Sequence, residues 1–359
     1  MNPLNFTRLK KIEDLKSFSK EVEFDEFLNI RSASETMRLA SLKPIPKMLF
    51  SELWHEGEIC ILFADTNIGK SILSVQIADS ISRGEPVRGF RLEAYQQVVL
   101  YFDFEMSMKQ FEKRYSDNYT RHYDFDDRFL RIDINPDCTN FDDFEKTLFS
   151  SIEKAVGIYN ATVLIIDNLT WLKTETTESA KEALPLMKRL KELKVKHGLS
   201  LLILAHTPKR SPFNPIGIND MAGSKHLANF ADSIFAIGKS HRDGSLRYIK
   251  QIKARDTDVV FDSDNVILCE IIKPFNFLGF EFSGFGKERD HLSLPSSDET
   301  DQTEMLILEL RSSEPSISKY EIAKRLGINQ MKVKRVLDKQ AGENNLKTNT
   351  NTTNNANTF

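Results

Sequence analysis

Ala64-Asp65-Thr66-Asn67-Ile68-Gly69-Lys70-Ser71 follows the apolar run Ile59–Ala64 and opens the amphipathic segment Ser71–Ile81. The string fits G-x-x-x-x-G-K-[ST] except at its first place, where Ala64 stands for glycine. Chance alone puts an [AG]-x-x-x-x-G-K-[ST] string in on the order of a few per cent of chains this long. The strand pattern before it and the helix pattern after it are what make it specific. Such a loop curls successive backbone N–H groups around an anion, and the helix N-terminus adds its dipole. Lys70 is then expected to reach the terminal phosphates of ATP and the Ser71 hydroxyl to bind Mg2+. Ala64, Asp65, Thr66, Asn67, Ile68, Gly69, Lys70, Ser71 and Ile72 together form the expected polyphosphate cradle.

Outward from the loop, short apolar runs alternate with amphipathic segments. The runs are Ile59–Ala64, Val98–Phe104, Phe129–Ile134, Thr162–Asp167 and Leu199–Ala205. Between them, helices are predicted over Ser71–Ile81, Lys109–Tyr119, Asp142–Val156 and Ser179–His197. Strand, helix, strand at this spacing predicts an α/β fold, a mostly parallel sheet covered on both faces. A short helix over Ala222–Phe230 leads to a strand at Ser233–Ile237. Antiparallel strands are predicted at Arg247–Ala254, Val259–Phe261 and Asn265–Ile271. The expected organisation is an N-terminal helical or extended segment over 1–40, with a helix near Asp25–Arg38, and an α/β domain over 41–288. A linker over 289–300 and an all-α module over 301–340 follow. The Asn/Thr-rich tail 341–359 has too little apolar surface to offset the entropy of ordering.

In a parallel sheet the ligand sits at the carboxyl ends of the strands. Asp167 ends one apolar run and is placed to hold magnesium with Ser71. Asp103 and Glu105 end another, and strand alternation puts them on one face. Glu105, at the tip, is the expected base that orients and deprotonates the attacking water, with Asp103 as rival. His206 ends a further core run, where a polar side chain can sense the γ-phosphate. Lys253 and Arg255 fall on one side of a strand end. Two adjacent cations need an anion, which a neighbouring subunit's ATP would supply to Arg255 acting in trans.

Ser318-x-x-Glu321 reads as a capping box opening a helix with Ile322, Ala323 and Leu326 on one face. Gly327-Ile328-Asn329 is a turn, and a second helix carries Val333, Val336 and Leu337 inward. This is helix-turn-helix grammar. Ser318–Lys339 holds seven basic residues against two acidic ones, in a chain with net charge -3. The outward residues Gln330, Lys332, Lys334 and Arg335 suit contact with DNA phosphates and base edges. The plainer reading is a docking module with a solvated basic face.

Composition excludes several classes. With 49 basic and 52 acidic residues the chain is not a uniformly basic nucleic-acid binder. Three cysteines, Cys60, Cys138 and Cys269, lack CxxC spacing and argue against a disulfide framework or zinc site. No apolar run approaches the roughly 20 residues that span a bilayer, and Met1–Lys20 does not read as a signal peptide. The cytoplasm is the expected address, and no membrane partner is expected.

These parts together resemble the RecA-like ATPases, and among them the RepA-type and DnaB-type hexameric helicase cores, over about residues 40–275. Ala64–Ser71 is similar to their Walker A, Thr162–Asp167 to their Walker B, and Glu105 to their catalytic glutamate. Ala205-His206-Thr207 is similar to a phosphate-sensing strand end, and Gly223–Asp232 to the short helix before the sixth strand. Lys253-x-Arg255 is similar to the paired finger residues of the ring. The resemblance implies a homo-oligomer, typically a hexamer, with Mg-ATP hydrolysed between subunits and single- or double-stranded DNA as partner. The role it implies is a helicase, or a replication or mobilisation ATPase of a mobile element. Two alternatives stay open: a DNA-binding regulator switched by ATP with slow or no hydrolysis, and a scaffold with a vestigial loop.

Overall fold

The computed structural model describes residues 30–340 except 136, 138–143, 169–179, 208–209, 222–223, 256, 294–296 and 339. Most of the expected N-terminal segment, the strand-to-helix link after Asp167 and the tail from 341 lie outside the described residues. By its internal contacts the chain divides into two units, Met1–Pro46 and Lys47–Phe359. In the first, helix α1 is Ala33–Ala40. Its N-cap is Ser32, which accepts a hydrogen bond from the Glu35 amide (3.1 Å), and the start of the helix expected near Asp25–Arg38 lies outside the described residues.

In the second unit the chain runs through β1 (Met48–Phe50), β2 (Trp54–His55), β3 (Ile59–Ala64) and α2 (Lys70–Arg83). Next come β4 (Val99–Asp103), α3 (Met108–Arg114), β5 (Ser116–Asp117), β6 (Arg121–His122) and β7 (Phe129–Ile132). Then follow α4 (Phe144–Tyr159), β8 (Val163–Asp167), α5 (Ala180–His197), β9 (Ser200–His206) and α6 (Ser224–Phe230). The sheet closes with β10 (Ser233–Lys239), β11 (Leu246–Lys253), β12 (Val266–Ile272) and β13 (Gly279–Gly286). Nine strands form it, in the order β13-β12-β11-β10-β3-β9-β8-β4-β7. From β10 to β7 every pairing is parallel, and β11, β12 and β13 add antiparallel. The fold is α/β with a mostly parallel central sheet flanked by helices, as expected.

Strand alternation sends side chains to two separate cores. From β3, Cys60, Leu62 and Ala64 join Leu73, Val75, Ile77 and Ile81 of α2 on one face. Ile59, Ile61 and Phe63 join Phe149, Ile152 and Val156 of α4, and Leu186, Met187 and Leu190 of α5, on the other. Each large apolar side chain so buried contributes about 1.5–3 kcal/mol. That is why runs apolar on both faces became central strands.

The departures from expectation are local. The predicted helix Lys109–Tyr119 stops at Arg114, because Asn118 (φ 50°) and Tyr119 (φ 60°) turn the chain into the β5–β6 hairpin. Residues 259–261 form no strand. The Gln251 side chain accepts from the Val260 and Phe261 amides, and the Phe261 ring enters the core instead. Strand β13 was not expected. It pairs along all of β12 around a bulge. The expected 289–300 linker is partly structured. A 3-10 turn covers Glu288–His291, and helix α7 (Ser297–Ser313) begins inside the linker.

After α7 come α8 (Lys319–Leu326) and a helix over 330–338. They share a core of Ile307, Ile317, Ile322, Ala323, Val333 and Val336. Gly327 supplies the left-handed turn at φ 64°. The expected capping box is only half made. Ser318 accepts from the Glu321 amide, whereas the Glu321 carboxylate faces Arg325.

Candidate active site

Parallel register brings four strand ends to one edge of the sheet. Ala64 of β3 pairs with His206 of β9, and Asp167 of β8 with Asp103 of β4. Strand β9 lies between β3 and β8, so the phosphate loop and Asp167 face each other across one strand. The loop leaves β3 at Ala64, places Asn67 at φ 62°, and reaches Gly69, the N-cap of α2, at φ 115°. A Cβ at Gly69 would stand 2.8 Å from Ile271 Cδ1 and 2.9 Å from Phe280 Cζ. The backbone angle requires glycine there, and the tips of Ile271 and Phe280 would have to shift for any other residue.

Lys70 is buried, and its ammonium donates to the carbonyls of Ala64 (2.8 Å) and Asp65 (3.1 Å). Burial pulls its pKa below the usual lysine value, while Asp167, Glu105 and Asp65 pull it back up. Asp65 faces Arg210 at 3.6 Å, and Arg247 of β11 donates to the Ile68 carbonyl (3.2 Å).

Asp167 is buried at the end of β8. Burial raises its pKa from 3.8 to about 6, opposed by hydrogen bonds from the Ser71 and Tyr101 hydroxyls. Tyr101 donates to Asp167 Oδ2 at 2.7 Å, and its oxygen lies 3.2 Å from Ser74 Oγ. A hydroxyl and a desolvated carboxylate held together are hard oxygen donors of the kind a magnesium ion takes.

Asp103 and Glu105 have different partners. Asp103 is buried, bonds Arg131 at 2.9 Å, and accepts from the Glu105 and Met106 amides. It caps the turn into α3. Glu105 lies beyond the strand, more than a third exposed, 3.2 Å from His206 Nε2. The Asn168 side-chain amide donates to Glu105 and contacts His206 Nε2 at 2.8 Å. The His206 hydrogen bond holds the Glu105 pKa below the usual carboxylate value, with burial acting the other way. Lys70, Ser71, Asp167, Glu105 and His206 thus converge at one edge of the sheet.

Lys253 and Arg255 do not join them. Lys253 donates to the Ala228 and Ala231 carbonyls (both 2.7 Å) at the C-terminus of α6. Arg255, about half exposed, pairs with Asp232 at 2.8 Å. The expected need for an anion near these two cations is met by a helix end and a carboxylate of the same chain. In the C-terminal helices Gln330, Lys334 and Arg335 are exposed and Lys332 half-buried. Lys319 and Arg325 are spent on Asp338, Glu314 and Glu321.

Sequence reading missed Tyr101, Asn168, Arg131 and Arg210. Asn168 directly follows the strand-ending Asp167, and Tyr101 precedes Asp103 by two, so position alone could have raised both. Arg131 and Arg210 come from elements whose neighbours appear only in three dimensions.

No curated protein matches the chain. A solved structure, the KaiC-like protein from the hyperthermophilic archaeon Pyrococcus horikoshii OT3, is similar at 15% identity and a TM-score of 0.44. That similarity covers 64% of this chain and 91% of that one. The family described as AAA domain matches residues 25–212, more than half of the chain, from before the first described helix to beyond His206. The chain therefore belongs to the AAA domain family of P-loop ATPases.

Proposed function

We propose that the protein binds Mg-ATP at the Ala64–Ile72 loop and hydrolyses it. The observation that carries this is the convergence of buried Lys70 and Asp167 with half-open Glu105 at the carboxyl edge of the sheet. The loop amides and Lys70 bind the phosphates. Ser71 and Asp167 hold magnesium, which when bound neutralises phosphate charge. Glu105, held ionised by His206 and Asn168, takes a proton from the water whose oxygen attacks the γ-phosphorus as ADP leaves. Positioning and charge supply most of the catalysis, as in other phosphoryl transfers. His206, touching Glu105, is placed to register the γ-phosphate.

We further propose that the ATPase works as a homo-oligomer on DNA. Supporting this, Arg255 is half exposed and remote from its own loop, as a finger acting in trans must be. Lys332, Lys334 and Arg335 have no ion pair among the described residues. The direct test is the ATPase rate with and without single- and double-stranded DNA, alongside native mass. Mg-dependent turnover that DNA raises, in an assembled species, is expected. A properly folded sample with no heat on Mg-ATP titration and no turnover sinks the enzyme reading; turnover indifferent to DNA sinks the DNA part.

A further inference from the structure

Beside Glu105 lies a cleft of about 580 Å³, walled by Lys113, Arg114 and Gln110 of α3, by Asn118, and by Lys273 from the β12–β13 tip. We propose that this cleft binds inorganic phosphate, with Arg114 as its principal donor, and receives the phosphate released at Glu105. The source assigned to the ligand rests on the hydrolytic reading above.

Arg114 sets the cleft apart. Among the described residues its Nη1, shielded from solvent, has no hydrogen-bond partner, and the side chain joins no ion pair. Nearby arginines are all engaged: Arg83 with Asp79, Arg121 with Asp117, Arg128 with Asp126, and Arg131 with Asp103 and Asp133. A desolvated guanidinium nitrogen without an acceptor is costly, and an unmet donor of this kind calls for an explanation. Once a turn of the guanidinium brings Nη1 to the cleft, an oxyanion supplies the missing acceptor, and the planar fork of donors suits a phosphate.

The wall is built before any ligand arrives. Lys273 donates to the carbonyls of Lys113 (2.6 Å) and Ser116 (2.7 Å), which pins the β12–β13 tip to the end of α3. Lys273 lines the cleft alongside Lys113, which is exposed and without an ion pair among the described residues. Three cations thus stand against the single carboxylate of Glu105. Gln110 and Asn118 add neutral polar groups. Because Glu105 belongs to both the cleft and the candidate site, an anion formed at Glu105 reaches Arg114 without crossing the protein.

The test titrates the full-length protein with sodium phosphate in the absence of nucleotide, by calorimetry. Wild type is expected to bind saturably. Arg114→Ala is expected to bind about tenfold more weakly, the order expected for losing a charge-assisted hydrogen bond. Lys113→Ala, an exposed change with no packing role, is expected to weaken binding less, and Arg114→Lys to restore part of the loss. Inhibition of turnover by added phosphate should ease in Arg114→Ala while Mg-ATP affinity stays at the wild-type value. Equal phosphate binding by wild type and both alanine variants overturns the site. So does a parallel loss of Mg-ATP affinity in Arg114→Ala, or binding of a short oligonucleotide but not of phosphate. Phosphate binding that depends on Arg114 in a protein that does not hydrolyse ATP upholds the site and overturns the assigned source.

Discussion

At the scale of single residues, the site depends on two carboxylates whose pKa values are shifted in opposite directions. Asp167 is pushed up to about 6 by burial, and Glu105 is held down by His206. The raised Asp167 value exceeds its unfolded one, so its favourable contribution is present below about pH 4 and lost as pH rises through about 6. Above that, a buried charge burdens the ligand-free fold by on the order of 2–3 kcal/mol. Asp167→Asn is therefore expected to melt higher than wild type at pH 8 without ligand, and no higher at pH 4. Magnesium needs the ionised form, so Mg-dependent ATP affinity should fall as pH drops through about 6. Calorimetry across pH 5–8 measures this, and a flat profile removes Asp167 from the metal site. Glu105→Gln is expected to keep Mg-ATP binding and lose at least about a hundredfold in turnover, in line with removal of a general base. Unchanged turnover would move the base elsewhere. Asp103 is no substitute, since Arg131 and two amides already occupy it.

Among the elements, the phosphate loop is shaped from outside as well as by its own residues. Strands β12 and β13 bring Ile271 and Phe280 against Gly69, and the Gln76 side chain of α2 exchanges hydrogen bonds with the Phe280 backbone (2.8 and 3.0 Å). Gly69→Ala is expected to cost roughly 1–3 kcal/mol of stability through strain at positive φ and overpacking, and to abolish nucleotide binding. A variant that melts and binds like wild type would show that this contact does not shape the loop. In the C-terminal helices, Ile322 is fully buried in a small core. Ile322→Ala should lose about 2–5 kcal/mol, read as loss of helicity from those helices with ATPase activity spared. Loss of ATPase activity in step with helicity would contradict their separate core.

For the molecule as a whole, one buried ion pair joins distant parts of the chain. Glu288 is fully buried and accepts from Lys250 (2.6 Å), the Ile216 amide (2.6 Å) and Ser263 Oγ (2.9 Å). It ties the segment after β9 to β11 and to the end of the sheet. Glu288→Ala leaves a buried Lys250 without its counter-charge and is expected to cost about 3–5 kcal/mol. Chemical denaturation measures it, and a change under about 1 kcal/mol would mean that Lys250 escapes to water. Assembly has its own test. Arg255→Ala and Lys70→Ala subunits, each inactive alone, should regain turnover when mixed if Arg255 completes a neighbour's site. No recovery in mixed oligomers places Arg255 with Asp232 as a structural pair only.

The phosphate loop, the strands that precede and follow it, and the carboxylates at strand tips were legible in the sequence. Apolar runs with a polar end, spaced by helical periods, admit one class of sheet, because strand and helix patterns are local properties of the chain. The sequence also marked Lys70, Ser71, Asp167, Glu105 and His206, each at or beside a strand end. Tertiary structure alone decided that β9 lies between β3 and β8, that Asp103 is consumed by Arg131, and that Lys253 caps α6. It also decided that the glycine-rich 279–286 segment is a strand against the loop. Those outcomes depend on which distant groups compete for the same hydrogen bond or cavity, and such competition is settled only when the chain packs.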